Sequence, residues 1–574
     1  MRASQLAVYE TYENIYGQRS SLDELVAEIE VFNQKSVLWV CAVIITGMQL
    51  WNRINSQPLD VFETLVKLYF DRTMHGRLLA GYWATSPRRV LFHRRQVLLI
   101  AKLAIKHCSE IGMDARVHAG RVGVILLKAN DQFSYGLLDE FAKNGGLVGG
   151  RDELSRIIAE MLAVGESVSP SIPFMITRSH LMMTRFAAEL RNHPDWIDVV
   201  GEYERFAGLS LGEYEAMIVG THARFGPELS RSLYREPGRL PLKEENFATT
   251  AIDPPKVSAF IDLFTSSPPL MAEELKASDN GPNDFTIFRK YPLVTQFYNL
   301  HLTTAWCGFL MMDNNFFLEK VVTGPYWYAN GRHGQKLHRF WGAVFEEYVN
   351  ELMRRACRNT KAEYIPDPRR ANQPNHQICD GIVVDGDCLV LIECKGNVFR
   401  ADTKYSGNYK ALAAEIEKKL VTPRGVAQLA KAVRDLFGPS GHSIFPQVDL
   451  KKIKRVYPYL VTLDSIGATI GMPMFLNTFL DEELDRNAYP TVEIRPLFCI
   501  NIETLEESTK FFQNSTLPAI LEEWFASNPS LFTPLSAVDL NRFDGQENEW
   551  LRSEWTAIYR NIARVLFPNE ARMI

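Results

Sequence analysis

The sequence predicts a multidomain protein with a mainly α-helical N-terminal half and a C-terminal α/β domain built on a mixed central sheet. Three observations lead to this prediction. The chain has 574 residues, which is too long for one hydrophobic core. Apolar residues recur at three- and four-residue spacing through the first 230 or so residues, as they do in helices. From residue 336 onward the pattern becomes helix, strands, helices and strand, with a further strand and helix later.

Composition and charge limit the class of protein. Apolar residues make up 46% of the chain and charged residues 23%, which is typical of a globular protein, and the net charge of -5 argues against a uniformly basic surface. The eight cysteines form no CxxC pair, so neither a disulfide framework nor a zinc site is indicated, and we expect a reducing compartment. The N-terminal residues lack the apolar run of a signal peptide, so we expect a cytoplasmic location.

We expect three domains along the chain: a helical domain over 1–150, a mainly helical domain with some extended segments over 151–330, and the α/β domain with a C-terminal extension over 331–574. Helical periodicity is clearest in "SLDELVAEIEVF", "LDVFETLVKLYF", "RRQVLLIAKLAIKHCSEI" and "LSRIIAEMLAVG". The apolar stretch from Val37 to Trp51 is too short to span a membrane. We therefore predict a buried helix there and no membrane association.

Two segments lead up to the main boundary. The segment from Asp284 to Thr304, "DFTIFRKYPLVTQFYNLHLTT", is predicted to be partly extended. The segment "VVTGPYWYANGRHGQ" is rich in turn residues, and we place the boundary near residue 330.

The segment "KLHRFWGAVFEEYVNELMRRAC" predicts the clearest helix of the chain, because its apolar residues form one broad face. That face consists of Leu337, Phe340, Trp341, Val344, Phe345, Tyr348, Val349, Leu352 and Ala356. Two strands follow. After them we predict helices in "YKALAAEIEKKL" and "RGVAQLAKAVRDLF", a strand in "KRVYPYLVTL", and a strand leading into a helix in "TVEIRPLFCINIETLEESTKFF".

The two strands lie in "CDGIVVDGDCLVLIECKG", where acids interrupt an apolar hairpin. Asp385-Gly386 predicts a two-residue type I′ turn, which places Asp380 opposite Leu391 and diagonal to Glu393 on the same face. A four-residue loop keeps that parity and brings the acids closer, whereas a three-residue loop separates them unless a bulge intervenes. Lys395 lies two residues beyond Glu393 and shares its face.

These three polar residues suggest metal-dependent hydrolysis. Val390, Ile392 and Cys394 point to the opposite face, and two acids in such apolar surroundings need a cation or several donors. Mg²⁺, for which Mn²⁺ can substitute, prefers carboxylate and water oxygens, and the backbone carbonyl of Cys394 is a further candidate ligand. A lysine beside the metal helps to position and deprotonate water and offsets charge in the transition state. The alternative is a structural Asp380–Lys395 ion pair with Glu393 solvated.

This arrangement resembles the PD-(D/E)XK nuclease superfamily, whose members have the restriction-endonuclease-like fold. The resemblance covers about residues 330 to 465 and implies that Asp380, Glu393 and Lys395 are catalytic, with Mg²⁺ on the two acids; Cys379 stands where the motif has proline. It also implies a catalytic and metal-binding glutamate on the preceding helix, which Glu346 matches, and a catalytic glutamine on the following helix, which Gln428 matches. The alternatives are a surface glutamate and a residue at the edge of an apolar helix.

Basic residues around the motif suggest nucleic-acid contacts. Residues 331–460 contain 22 Lys and Arg against 14 Asp and Glu, a net charge of +8. Two clusters are candidates for contacts with phosphates and bases, and the alternative for each is a solvated charged surface. The first cluster is Arg400, Lys404, Tyr405 and Lys410; the second is Lys451, Lys452, Lys454 and Arg455.

Together these features predict a metal-dependent nuclease that hydrolyses phosphodiester bonds. The resemblance implies DNA rather than RNA as substrate, because most members of that superfamily act on DNA. The helical front half is a candidate for regulation, for binding of a partner protein or for self-association, and prokaryotic anti-phage defence is a setting known for such fusions. The alternative is a non-catalytic nucleic-acid-binding or scaffold protein with a nuclease-like domain. An ATP-driven machine lacks support, because no GxxxxGK[ST] loop is present.

Overall fold

A computed structural model describes most of the chain. The described residues are 7–48, 59–83, 88–133, 150–164, 171–226, 237–299, 305–439, 441–512, 515–535 and 548–570. The chain divides into two compact units, and each unit is made of separate chain segments. The first unit contains Met1–Glu140, Tyr203–Pro325 and Tyr559–Ile574; the second contains Phe141–Glu202 and Tyr326–Ile558.

The first unit is mainly helical, as predicted. Its helices are Tyr12–Tyr16, Leu22–Ile29, Gln34–Met48, Leu59–Tyr69, Arg72–Trp83, Arg94–His107, Ala119–Asn130, Leu211–Arg224, Pro254–Leu263, Pro268–Ser278 and Thr286–Lys290. Two small sheets accompany them: Ala7–Tyr9 pairs with Arg88–Val90, and Thr265–Ser266, Leu293–Asn299 and Ala305–Met311 form a three-stranded sheet. The strand Leu293–Asn299 confirms the extended structure predicted there, while 300–304 lie outside the described residues.

The apolar stretch near the N-terminus forms the helix Gln34–Met48, and its residues from Ser36 to Met48 are all buried. The prediction of a buried helix is therefore confirmed up to Met48, and the last residues of the stretch lie outside the described residues. Within the described ranges, no helix has both the length and the apolar character needed to cross a membrane.

The boundary segment is helical, so the turn predicted from its Gly and Pro residues is wrong. A helix runs from Asn314 to His333 with Pro325 inside it, and Gly334, with φ +52°, separates it from the next helix. Phe316, Phe317, Tyr326 and Ala329 are buried along this helix. Burial of these side chains outweighs the weak helix propensity of the local sequence.

The second unit is built on a six-stranded mixed sheet. Its strands are β1 (Glu363–Pro366), β2 (Gly381–Asp385), β3 (Cys388–Lys395), β4 (Arg455–Thr462), β5 (Glu493–Ile494) and β6 (Phe498–Asn501). β1, β2 and β3 are antiparallel neighbours, and β4 is parallel to β3. β5 and β6 both pair in parallel with the free side of β4, β5 at its start and β6 at its end. The sheet is therefore mixed, as predicted.

Helices cover this sheet. They include α1 (Arg151–Val164), α2 (Gln335–Cys357), α3 (Tyr409–Ile416), α4 (Val426–Phe437) and α5 (Met472–Glu483). Leu389 and Leu391 of β3 belong to one core cluster with apolar residues of α1, α3, α4 and α5. The alternation along β3 turns Val390 and Ile392 to the other face, and α2 contacts β1 and β3. All nine residues of the apolar face predicted for α2 are buried.

The early segment of the second unit differs from the expected domain order, because α1 belongs to the sheet unit. Leu154, Ile158 and Leu162 of α1 are buried in the core cluster that contains Leu391 of β3 and Leu460 of β4. Arg151 also donates hydrogen bonds from Nε to Thr478 Oγ1 at 2.9 Å and from Nη2 to the Thr478 carbonyl at 3.1 Å, on α5. The domains expected at 1–150, 151–330 and 331–574 therefore do not match the two units, whose segments join distant parts of the sequence.

Smaller elements complete the second unit. Its other helices are Ile172–Leu181, Ala187–Glu189, Ala401–Lys404, Gly441–Ile444, Ile502–Ser508 and Leu517–Ser527, and Val199–Ala207 and Glu549–Leu566 extend across its limits. The short antiparallel pair Arg369–Arg370 and Gln373–Gln377 interrupts the chain between β1 and β2. A buried ion-pair cluster joins two of the helices: Arg178 donates hydrogen bonds to Glu506 at 2.9 Å and to Glu503 at 2.5 Å. The hydroxyl of Tyr348, on α2, donates to Glu506 at 2.5 Å.

Candidate active site

The turn between β2 and β3 sets the register of the polar residues. Asp385 pairs with Cys388 and Gly381 pairs with Ile392, so the two turn residues are Gly386 and Asp387. Gly386 has φ +61°, and Asp387 is not among the residues with positive φ. Glycine at the first central position is typical of a type II′ turn, whereas type I′ needs positive φ at both positions. The predicted Asp385-Gly386 type I′ turn is therefore wrong by one residue.

The paired register ends at Gly381 and Ile392, so Asp380 lies one residue before β2 and is not paired with Glu393. The Asp380 N–H donates to the Ile392 carbonyl at 3.0 Å, one residue out of register, so the ladder is interrupted at this position. The side chains are nevertheless close, because the Cys394 N–H donates to Asp380 Oδ2 at 2.6 Å and the charge of Asp380 acts on both Glu393 and Lys395. Glu393 and Lys395 lie two residues apart on β3 and share a face, as predicted.

The three side chains are buried and connected by hydrogen bonds. Asp380, Glu393 and Lys395 are 7%, 2% and 7% exposed. Lys395 Nζ donates to Glu393 Oε1 and, at 3.4 Å, to the Cys394 carbonyl, while the Cys394 N–H donates to Asp380 Oδ2 at 2.6 Å. The alternative of an Asp380–Lys395 pair with a solvated Glu393 is wrong, because Glu393 is the buried partner of the lysine.

The surroundings of these groups shift their pKa values. Burial raises the pKa of Glu393 to about 8; Lys395 opposes this shift, and the negative charge of Asp380 adds to it. Burial also raises the pKa of Asp380, against the influence of Lys395. Burial acts to lower the pKa of Lys395, but Glu393 and Asp380 outweigh burial and raise it. The site thus combines a stable ammonium group with two carboxyl groups that bind protons more tightly than usual.

Glu346, on α2, lies close to this group. It is half-buried, and Gln377 Nε2 donates to Glu346 Oε1 at 3.2 Å. Burial raises the pKa of Glu346 to about 8, and the charge of Asp380 adds to the shift. Glu346 is therefore an electrostatic neighbour of Asp380, and this placement argues against the alternative of an ordinary surface glutamate.

The start of α4 borders Lys395, although Gln428 itself is not joined to the three residues. A Cβ atom on Gly425, the residue before α4, would lie 3.2 Å from Lys395 Cε and would collide with the Leu420 carbonyl. Gly425 also has φ +94°, a backbone conformation that glycine adopts without strain. Gln428 lies in the first turn of α4 and is half-buried, and no hydrogen bond to it is found within the described part of the chain.

Two of the expected ligands, Asp380 and Glu393, are suited to a divalent cation. Among the described residues, no group of three or more His, Cys, Asp or Glu side chains is arranged to hold a metal ion. However, Mg²⁺ commonly uses one or two carboxylates and keeps several waters, so Asp380 and Glu393 are a sufficient carboxylate set. Glu393 Oε2 is buried and has no hydrogen-bond partner, which leaves an acceptor directed at no donor. The Cys394 carbonyl and Glu346 remain candidate ligands beside them.

The sequence analysis missed three residues around the site. The Asp367 N–H donates to the Asp380 carbonyl at 3.0 Å, and the charge of Asp367 contributes to the raised pKa values of Asp380 and Glu346. Gln377 is the donor to Glu346. Arg424 acts to lower the pKa values of both Asp380 and Glu393. Only Arg424 left a usable signal, because a Pro-Arg-Gly turn precedes the helix with the predicted catalytic glutamine.

Two residues of the first predicted nucleic-acid cluster are buried and the other two are exposed. Lys404 is 5% exposed, and its Nζ donates to Asp464 Oδ1 at 2.6 Å and to Ser465 Oγ at 2.9 Å. Tyr405 is 7% exposed. The prediction of nucleic-acid contacts is wrong for these two residues in this structure, because neither side chain reaches the surface. Arg400 and Lys410 are exposed, and Arg400 forms an ion pair with Asp402.

The second predicted cluster lies at the other end of the sheet. Arg455 begins β4 and pairs with Cys388 at the start of β3, whereas Lys395 pairs with Thr462 at the end of both strands. At about 3.3 Å per residue these ends are about 23 Å apart. Lys451, Lys452 and Lys454 are exposed, and Arg455 Nη2 donates to Asp387 Oδ1 at 3.4 Å. The structure therefore does not bring this cluster together with the acids.

No family model, curated protein or solved structure matches the chain. The geometry of the site is therefore the basis for a functional assignment.

Proposed function

We propose that the protein is a Mg²⁺-dependent nuclease that hydrolyses phosphodiester bonds, with DNA as its substrate. The observation that carries this proposal is the buried cluster of Asp380, Glu393 and Lys395, in which Lys395 donates to Glu393 and the Cys394 N–H donates to Asp380. Two acids and a lysine this close together supply the ligands and the positive charge that metal-assisted phosphodiester hydrolysis requires.

The order of elements supports a restriction-endonuclease-like fold for the second unit. The PD-(D/E)XK resemblance implies an acid on one strand and the acid-any-lysine triplet on the next; here Asp380 directly precedes β2, and Glu393 and Lys395 lie on β3. It also implies a glutamate on the preceding helix, and Glu346 on α2 lies near Asp380. The predicted glutamine occupies the first turn of the helix whose start borders Lys395.

The charges of these residues indicate their roles in the reaction. Asp380 and Glu393, once deprotonated, would hold the metal, with the Cys394 carbonyl and Glu346 as further candidate ligands. When bound, Mg²⁺ supplies Lewis-acid stabilisation of the phosphoryl oxygens and lowers the pKa of coordinated water. Against the effect of burial, Glu393 and Asp380 raise the pKa of Lys395, which favours its charged form. Lys395 would therefore stabilise negative charge on the phosphate and donate a hydrogen bond to it.

A non-catalytic nucleic-acid-binding protein is the second candidate, and one observation favours it. Asp380, Glu393 and Lys395 are almost completely buried, so a phosphodiester reaches them only after local movement of the covering segments. A site closed in this way suits a protein that binds nucleic acid elsewhere on its surface. The presence of all three polar groups in one cluster favours the nuclease.

The test is an incubation of the purified full chain with supercoiled plasmid, linear duplex, single-stranded DNA and RNA. Each substrate is combined with Mg²⁺, Mn²⁺ or EDTA. Wild type is compared with Asp380→Asn and Lys395→Ala, and the matched control is Asp385→Asn, at the opposite end of the same hairpin. We expect metal-dependent cleavage of DNA that both site variants abolish and the control retains.

Two results would contradict the proposal. Binding of nucleic acid without cleavage under every metal condition would favour the non-catalytic candidate. Cleavage that survives in Asp380→Asn would remove this site from the reaction. Faster cleavage of RNA than of DNA would keep the site and change the substrate.

A further inference from the structure

Arg424 lies at the edge of the site, and its positive charge forms no ion pair among the described residues. It is exposed, and it has no hydrogen-bond or ion-pair partner in the part of the chain that the structure describes. Its guanidinium is nevertheless close enough to Asp380 and Glu393 to favour their charged forms. A cation in this position interacts with the acids only at a distance and keeps all of its donors available.

The backbone fixes where Arg424 lies. The next residue, Gly425, approaches Lys395 so closely that a Cβ atom there would lie 3.2 Å from Lys395 Cε. Gly425 is followed at once by α4, which has 12 residues and no side chain capping its N-terminus. The positive end of this helix and the ammonium group of Lys395 therefore lie beside the turn that carries Arg424.

Three other cations near this end of β3 are already paired. Lys419 Nζ is 2.6 Å from Glu415 Oε1 and donates to the Val398 carbonyl at 2.8 Å. Arg400 pairs with Asp402, and Lys404 pairs with Asp464. These three groups already form ion pairs within the protein, whereas Arg424 can bind a ligand without breaking an ion pair.

We propose that Arg424 is a substrate-binding residue that contacts a backbone phosphate of the nucleic acid beside Lys395. This inference rests on the proposed nuclease function and names a contact that the acid-acid-lysine motif does not include. A guanidinium binds a phosphate through two parallel hydrogen bonds, so it fixes the strand as well as attracting it. The contact reads no base, so it does not depend on sequence.

The experiment separates binding from cleavage. Binding of a fluorescein-labelled DNA duplex is measured in Mg²⁺ at several salt concentrations, in an Asp380→Asn background, with and without Arg424→Ala. We expect Arg424→Ala to weaken binding about 10-fold and to lower the slope of log Kd against log salt by about one. In the protein with Asp380 intact, we expect the same change to raise KM and to leave kcat within about 3-fold, because the contact exists before and during the reaction.

Two variants serve as controls. Lys431→Ala removes an exposed cation farther along α4 and should leave both Kd and the salt slope unchanged. Arg424→Lys keeps the charge without the two-bond geometry, so it should retain the salt slope and recover only part of the affinity. Equal affinity and slope in Arg424→Ala and its parent would overturn the inference, and so would an equal effect of Lys431→Ala. Failure of the intact protein to cleave any substrate would instead contradict the nuclease proposal.

Discussion

Asp380 and Glu393 are buried neighbours at the end of the hairpin, where Lys395 donates a hydrogen bond to Glu393 and the Cys394 N–H donates one to Asp380. Two carboxyl groups so placed cannot both lose their protons without cost, because each is buried and each repels the other. This mutual effect makes the site sensitive to both pH and divalent cations.

We predict that stabilisation by Mg²⁺ grows with pH. The pKa of Glu393 is about 8, above its ordinary value of 4.5, so its contribution to stability is present below about 4.5 and is lost as the pH rises through about 8. The pKa of Glu346 is also raised to about 8, so its contribution to stability is lost over the same pH range. Mg²⁺ binds the deprotonated groups, so the increase in Tm with Mg²⁺ should be small at about pH 6 and larger at about pH 9. Thermal unfolding with and without Mg²⁺ at the two pH values measures this increase in Tm.

The control for this prediction is Asp380→Asn, which removes one ligand and one negative charge while keeping the side-chain shape. We expect little increase in its Tm with Mg²⁺ at either pH. An equal increase in the wild type at both pH values would show that the cation binds elsewhere.

We predict that Gly425→Ala destabilises the protein more than Gly407→Ala. Both glycines have positive φ, +94° and +74°, so alanine at either position costs about 1 kcal/mol in backbone strain. Only at Gly425 does the added Cβ collide with the Leu420 carbonyl and press on Lys395; at Gly407 no atom lies within 4 Å. Chemical denaturation should therefore show a loss of about 2–4 kcal/mol for Gly425→Ala. Equal losses would mean that the close contact with Lys395 has no energetic importance.

We predict that Lys404 acts on stability and not on nucleic-acid binding. Lys404→Met leaves Asp464 buried without its cation, which should lower the free energy of unfolding by about 3 kcal/mol and leave the salt dependence of DNA binding unchanged. The comparison variant is Lys410→Ala, because Lys410 is exposed on α3 and its removal should barely affect Tm. A reduced salt slope in Lys404→Met with unchanged Tm would restore the sequence-based prediction.

We predict a pH-dependent penalty for Arg178→Met. This change leaves Glu506, which is 0% exposed, without its guanidinium partner, at a cost of about 3–5 kcal/mol. Burial raises the pKa of Glu506 to about 7 even with Arg178 present, and loss of Arg178 raises it further. The carboxyl group is therefore neutral at about pH 6, so the variant should lose less stability there than at about pH 8.

The control is Arg185→Met, which breaks solvent-accessible ion pairs with Glu189 and Glu351 and should cost less than about 1 kcal/mol at either pH. Denaturant unfolding at the two pH values measures both variants. A penalty of the same size at both pH values would show that Glu506 stays charged in the variant.

The parts of the site that depend on local periodicity were predictable. Strand alternation predicts Asp380, Glu393 and Lys395 on one face, and the structure brings the three side chains into one buried cluster. The exact position of Asp380 was not predictable, because the ladder ends at Gly381 and Ile392. The turn type itself required φ values, since Asp385-Gly386 and Gly386-Asp387 are both plausible turn pairs. The apolar stripe of α2 was likewise visible, and it placed Glu346 at the edge of the buried face.

The parts that depend on distant partners were not predictable. Lys404 looked like an exposed basic residue, and its burial results from Asp464, which is 60 positions later in the chain. The membership of α1 in the sheet unit depends on contacts with β3, β4 and α5, which no local pattern indicates. Arg424 acquires a role only because Gly425 brings its turn against Lys395.

The separate segments of the second unit have a consequence for how it is made. A ribosome releases α1 before any strand of the sheet exists, and β4 follows only after almost three hundred more residues. At about 5–20 residues per second, the apolar side of α1 waits for tens of seconds before its partners emerge. Nascent chains should therefore depend on chaperones during this interval, and a truncated protein that starts at residue 326 should aggregate unless residues 150–202 are supplied with it.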